Sequence, residues 1–149
     1  MSTCLMILAL ASFLQPPPQP MQLHAGGSLI IQVDNIKKAE GQLWIGIYDS
    51  EDNFLVKEKA IVEGIEVTRT GSVQIKFPSL PYGTYAIAMF HDLNGNNELD
   101  RNRIGVPTEP YAFSGDLRSK WRLPNFSEVS VAFKSNGQKI HFRLQKWWE

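Results

Sequence analysis

The sequence predicts an all-β protein, a single antiparallel β-sandwich of about seven strands of immunoglobulin or transthyretin type. Three observations carry this. From Ser28 onward apolar residues recur with a period of two, turn residues separate the runs at short intervals, and a helical period is almost absent. The chain has 149 residues, 43% hydrophobic and 20% charged, enough for one domain with its own core.

Taken in order, Leu29, Ile31 and Val33 alternate with more polar neighbours, as do Leu43, Ile45 and Ile47 in "GQLWIGIYD". Each set predicts a strand with one buried face. A less regular strand is expected in "FLVKEKAIV", from Phe54 to Val62. The alternation is cleanest in "SVQIKF", where Val73, Ile75 and Phe77 are the inward set. In "TYAIAMF" Tyr85, Ile87 and Met89 form one apolar face and Ala86, Ala88 and Phe90 the other, which predicts a central strand. The last two strands, "SEVSVAF" and "KIHFRLQ", are expected to form a hairpin across "KSNGQ", because Asn136-Gly137 tolerates the positive φ of a tight turn. Before them "RIGVPTEPYAFSGDLRSKWRLPNF" has no period, and its aromatic content points to an ordered, functional connection.

The first charged side chain is Asp34. Ahead of it stand the apolar stretch "CLMILALASFL" and the proline-rich "QPPPQPMQ", which predict an export signal and linker over residues 1–26, with the sandwich domain over 27–149. The apolar run is shorter than the roughly 20 residues of a membrane span. The mature protein is therefore expected to be secreted or periplasmic, with no membrane span. Lys plus Arg equals Asp plus Glu at 15 each, and no basic stripe is present, which argues against nucleic-acid binding. Cys4 is the only cysteine, so neither disulfides nor a thiolate zinc site are expected in the folded part.

The decapeptide "HDLNGNNELD", His91 to Asp100, carries the chemistry. Calcium takes six to eight oxygens at about 2.4 Å, and a short loop supplies them from alternate side chains and one carbonyl. With Asp92 as position 1, Asn94 falls at 3, Asn96 at 5, the Glu98 carbonyl at 7 and Asp100 at 9, with Leu99 as the apolar residue at 8. Asn97 stands where glycine is usual and is the next best residue for a left-handed backbone. Arg103 occupies position 12, where a bidentate Glu is expected, so affinity should be weak, about 0.1 to 1 mM. The alternative is a metal-free turn whose Asn and Asp side chains bond to their own backbone. Both readings fit the residues.

His91 continues the Tyr85, Ile87 and Met89 face and is expected to be a packed, hydrogen-bonded residue at the loop base. An acid–base pair of His91 with Asp92 is disfavoured, since neighbours on a strand point to opposite faces. No nucleophile elbow, zinc-binding helix, phosphate-binding glycine loop or Cys-x-x-Cys is present. Trp44, Tyr48, Tyr111, Phe113 and Trp121 could stack a sugar or a peptide, although core packing is the default role of such side chains.

The strings "LPYGTYAIAMFHDLNGNNELD", "RIGVPTEPYAFS" and "PNFSEVSVAF", in that order, resemble the bacterial family known as domain of unknown function 2141, small exported β-sandwich proteins. The resemblance runs from about Ser28 to Leu144 and departs from the family pattern at Asn97 and Ala112, where Gly is usual. It implies fold and export and assigns no activity. The expected function is a non-catalytic binding or structural module for an extracytoplasmic ligand or protein, with its loop of residues 92–100 and its "VPTEPYAF" loop side by side. The runner-up is a motif-poor hydrolase or transferase using His91, Asp92 or Glu109. A third reading has an edge strand pairing with a partner chain.

Overall fold

The computed structural model describes residues 25–115 and 121–148. The expected signal and nearly all of its linker lie outside the described residues. Two sheets face each other across one apolar core. The first contains β1 (Gly26–Ile36), β4 (Gly71–Pro81) and β8 (Gln138–Arg143), in the order β4-β1-β8. The second is built from β2 (Gln42–Tyr48), β3 (Ile61–Glu66), β5 (Gly83–Asp92), β6 (Tyr111–Phe113) and β7 (Ser130–Phe133), with β5 at its centre as the two-faced apolar pattern predicts. On one side β5 pairs with β2, and along its other side it pairs first with β7 and then with β6.

The period-two sets fill the core. Leu29, Ile31 and Val33 from β1 meet Leu43, Ile45 and Ile47 from β2 and Ile87 and Met89 from β5, all buried in a single cluster. Burial of each such side chain stabilises by about 1.5 to 3 kcal/mol before the entropy of ordering is counted. The chain passes from β4 in one sheet to β5 in the other at Tyr82, and the Tyr85 hydroxyl fastens that corner by donating to the Pro81 carbonyl at 2.9 Å. On the far side Tyr111 and Gln145 exchange two backbone hydrogen bonds, joining the sheets beyond β8.

The all-β sandwich is as expected, with eight strands where about seven were anticipated. Three local expectations are corrected. The hairpin across "KSNGQ" does not form, because β7 pairs with β5 whereas β8 runs parallel to β1 in the other sheet. In that turn only Gly137 takes a positive φ, of 76°. A tight two-residue hairpin needs two such residues or a glycine first, and a single one late in the turn lets the strands diverge. The turn is tied to β1 instead. Asn136 Oδ1 accepts the Ser28 N–H and the Gly137 N–H reaches the Ser28 carbonyl, both at 2.8 Å. The Gln138 side chain occupies groups a hairpin would have paired, donating to the Ala132 carbonyl and accepting the Lys134 N–H.

Secondly, the strand expected in "FLVKEKAIV" begins only at Ile61, after a turn and a 3-10 segment at Lys57–Lys59. Thirdly, the front of "SEVSVAF" is a helical turn, α1 (Phe126–Val129). Asn125 and Glu128 form a reciprocal capping box there, a local signal that outcompetes β propensity over four residues. No helix among the described residues is long and apolar enough to cross a membrane.

Candidate functional site

Asp92 ends β5 on its outward face, and the chain then folds back over it. The loop needs left-handed backbone twice, at Gly95 (φ 75°) and at Asn97 (φ 64°), the residue expected to take that conformation. The Asp92 carboxylate lies under the loop at 0% exposure. Its Oδ1 accepts the Gly95 N–H at 2.7 Å and its Oδ2 the Asn97 N–H at 2.8 Å. Burial alone would push this carboxyl up. The N–H groups of Asn97, Gly95 and Asn96 outweigh it, helped by the Trp44 indole, so the carboxyl lies below the usual Asp range. The Trp44 Nε1 is itself buried and falls short of hydrogen-bonding geometry with any acceptor among the described residues.

On the solvent side, Asn94 Nδ2 donates to Asp100 Oδ2 at 2.6 Å and Asn96 Nδ2 to Asp100 Oδ1 at 2.9 Å. Asn94 Oδ1 accepts the Asn96 N–H and Asn96 Oδ1 the Glu98 N–H, at 3.0 and 2.9 Å. Thus Asn94, Asn96 and Asp100 come together, while Glu98 is exposed and, with Leu99, lines the neighbouring cleft. Among the described residues the ion pairs are Lys38 with Glu40 and Arg122 with Glu128, so no cationic side chain pairs with Asp92, Asp100 or Glu109. The described residues hold no cluster of three or more His, Cys, Asp or Glu side chains with metal-site geometry. A metal here would depend on Asn oxygens and a carbonyl to complete its shell.

Glu109 fastens this loop to the "VPTEPYAF" loop, which does lie beside it. The side chain is 5% exposed. Its Oε1 accepts the Leu93 N–H at 2.7 Å and its Oε2 the Asp100 N–H at 3.2 Å, so one carboxylate holds both ends of the loop. Thr108 adds its N–H and hydroxyl to the Asp100 carbonyl at 2.9 and 3.2 Å. His91, 1% exposed and opposite Leu43 on β2, faces the core side. Its Nε2 lies 2.7 Å from the Glu40 carbonyl, which can only accept, so that nitrogen carries the proton. Each of the three side chains considered for acid–base chemistry is thus engaged with backbone.

Two further residues, not singled out as site candidates, hold the backbone around β5. Gly41 takes a φ of 73°, and a Cβ there would lie 2.0 Å from the Asp92 carbonyl oxygen. Ser114, 2% exposed, accepts the Ile87 N–H at 2.8 Å and donates its hydroxyl to the Val129 carbonyl, joining β5 to the connection before β7. Ser114 closes the string "RIGVPTEPYAFS", whereas Gly41 lies in no motif. For Gly41 the available signal was a glycine directly before the β2 run.

Beside the loop, the outward face of the five-stranded sheet holds a cleft of about 450 Å³. Trp44, Tyr48, Tyr111 and Phe113 line it, and Asn97, Glu98 and Leu99 form one wall. Burial pushes the Tyr48 and Tyr111 hydroxyls up, Tyr48 with help from Glu58, so both stay protonated at neutral pH. Four of the five aromatic residues singled out in the sequence therefore share one wall system. Trp121, the fifth, lies in an adjoining recess of about 320 Å³ with Trp147 and is 87% exposed.

The profile of a family described as "uncharacterized protein conserved in bacteria (DUF2141)" matches residues 31–141. No curated protein and no solved structure matches the chain.

Proposed function

The chain belongs to the bacterial DUF2141 family, and from that premise we propose that it is an exported, non-catalytic binding module whose Asp92–Asp100 loop holds a calcium ion and so fixes one wall of the aromatic cleft. The observation that carries this reading is the convergence of Asn94 and Asn96 on Asp100, above a buried Asp92, with no cationic side chain paired to either aspartate among the described residues. The donor set is all oxygen, which suits a hard cation. The residues fit such an ion. Each carboxylate oxygen of Asp92 still has acceptor capacity beyond its one N–H, and rotating the two amides would present Oδ1 of Asn94 and Asn96. A bound calcium would offset the negative charge of Asp92 and Asp100. The chain's own part is to hold Asp92 by its amides and to brace both loop ends through Glu109.

The metal-free turn is the competing reading, and the bonds to the N–H groups of Gly95, Asn96, Asn97 and Glu98 favour it. Calorimetric titration separates the two. Calcium should bind saturably at about 0.1 to 1 mM, with magnesium much weaker because it demands near-octahedral geometry at shorter distances. Absence of any calcium heat that a chelator abolishes would leave the turn. Export rests on the apolar stretch before Asp34 and is tested by mass spectrometry of the native protein. A mature chain beginning between Ser12 and Gly26 supports it, and intact Met1 on a cytosolic product opposes it.

A further inference from the structure

The cleft has a floor whose shape follows from strand register. Two cross-strand rows lie side by side on the outward face of the five-stranded sheet. One runs Gly64, Trp44, Phe90, Tyr111 and the next runs Val62, Gly46, Ala88, Phe113, each residue being the register partner of its neighbour. The first row is aromatic and the second has its two smallest residues at the centre. A Cβ on Gly64 would lie 2.9 Å from the Trp44 ring, so the indole lies against the backbone of the edge strand. A Cβ on Gly46 would likewise meet the Tyr48 hydroxyl at 2.9 Å. The rings thus lean over glycines and leave a slot above Ala88. The slot's other wall is braced, since Phe54 stacks edge-on against Tyr48 at 5.5 Å and against Phe113 at 6.4 Å.

Two cations stand at the slot. Lys57 Nζ lies 5.5 Å from the centre of the Trp44 ring and donates to the Asn97 carbonyl at 3.1 Å, which leaves two of its three N–H donors for a ligand. Arg101 lines the same cleft and makes one long bond, 3.4 Å, to the Gly105 carbonyl. Glu98 is the carboxylate of that lining, so cations outnumber it by two to one.

We infer that the slot takes a small ligand with a flat apolar ring and an anionic group, the ring lying over Ala88 between Trp44 and Phe113 and the anion meeting Lys57 and Arg101. The inference rests on the cleft being the binding site. A cleft of about 450 Å³ is within the range of small-molecule sites, and its mostly apolar wall with a few placed polar groups is their usual composition. The ring would gain by displacing water from aromatic surface that is already fixed in place, at little ordering cost. The anion supplies orientation more than affinity, because Lys57 and Arg101 are exposed and screened by salt.

The test is calorimetric titration of the full chain in calcium with three probes of one shape, 2-naphthoate, 2-naphthylmethanol and protonated 2-naphthylmethylamine. Naphthoate should bind saturably and about fivefold tighter than the alcohol, the scale of one or two partly exposed charge contacts. The amine should be weakest. Ala88→Leu, which fills the slot from the outward face, should weaken every probe about tenfold or more, while thermal melts check that it folds. In the double variant Lys57→Gln, Arg101→Gln naphthoate should bind no tighter than the alcohol, and a preference that survives there overturns the assignment of the anion to these two cations. Equal binding of all three probes overturns the anion preference and leaves the cleft as a site. Naphthoate binding indifferent to Ala88→Leu in a folded variant, or no binding of any probe, overturns the slot itself. Neither result bears on the calcium titration.

Discussion

Glu109 and Leu93 are 16 residues apart in the chain, and Glu109 Oε1 accepts the Leu93 N–H at 2.7 Å. Because Oε2 accepts from Asp100, the side chain spans the whole polar loop from beneath. Replacing it by Gln keeps the volume but turns one acceptor into a donor facing an N–H. Glu109→Gln should therefore lose about 1 to 3 kcal/mol in denaturant melts, with or without calcium, the cost of a buried group left unsatisfied. A variant within experimental error of wild type would mean that other contacts hold the two loops together.

Asp92 makes stability depend on acid. Its folded carboxyl lies below its unfolded value of about 3.9, so its contribution is fully present above that value. It is lost as pH falls through about 3.9 toward the lower folded value. Measured in chelator, the melting temperature of the wild type should fall between pH 5 and pH 3 more steeply than that of Asp92→Asn, which has no proton to gain. Parallel curves would show that the loop amides do not hold the charged form.

The two aspartates should separate scaffold from ligand. Asp92 is buried against loop amides, whereas Asp100 lies at the loop surface and bonds to the Asn94 and Asn96 side chains. Asp100→Ala should destabilise in calcium and cost under about 1 kcal/mol in chelator, while Asp92→Ala should remain costly in both, since its amides lose their acceptor. His91→Ala should cost about 1 to 3 kcal/mol in either condition through lost packing and an unpaired Glu40 carbonyl. Denaturant melts of the three variants supply the comparison, and a metal-independent Asp100 effect would count against a ligand role.

Glycines with similar φ should respond differently. At Gly41 a Cβ would collide with the Asp92 carbonyl, whereas at Gly95, φ 75°, it would meet nothing within 4 Å. Gly95→Ala should cost about 1 to 2 kcal/mol, the left-handed penalty alone. Gly41→Ala must also move the end of β5 and should cost clearly more, read as a larger drop in the denaturation midpoint.

The sandwich was legible because period-two alternation reports burial directly: Leu29, Ile31, Val33, Leu43, Ile45 and Ile47 were the inward set in sequence and are in the core. What alternation cannot report is which strand sits beside which. Asn136-Gly137 favours reversal of the chain, but the reversal carries β8 into the opposite sheet, because Ser28 on β1 captures the turn. At the site, the 92–100 spacing showed which loop side chains would share a side. Glu109 was legible as a candidate acid–base residue in the "VPTEPYAF" loop, but its bracing role was not, since its partners are backbone groups distant in sequence. Lys57 was hidden in a misplaced strand. The cleft depends on the pairing of Gly46 with Ala88, a register that no single stretch of sequence contains.

The most direct test of the calcium-held loop is the melting temperature of the protein in chelator and in about 10 mM calcium, roughly saturating for a weak extracellular-type site. An ion that binds only the folded loop stabilises by mass action, about 2.7 kcal/mol at a hundredfold excess over its dissociation constant. The melting temperature should rise in calcium by several degrees, return with chelator, and rise much less in Asp100→Ala. Coincident melts in calcium and chelator, with the wild type fully folded in both, would contradict the account and leave the loop as a metal-free turn.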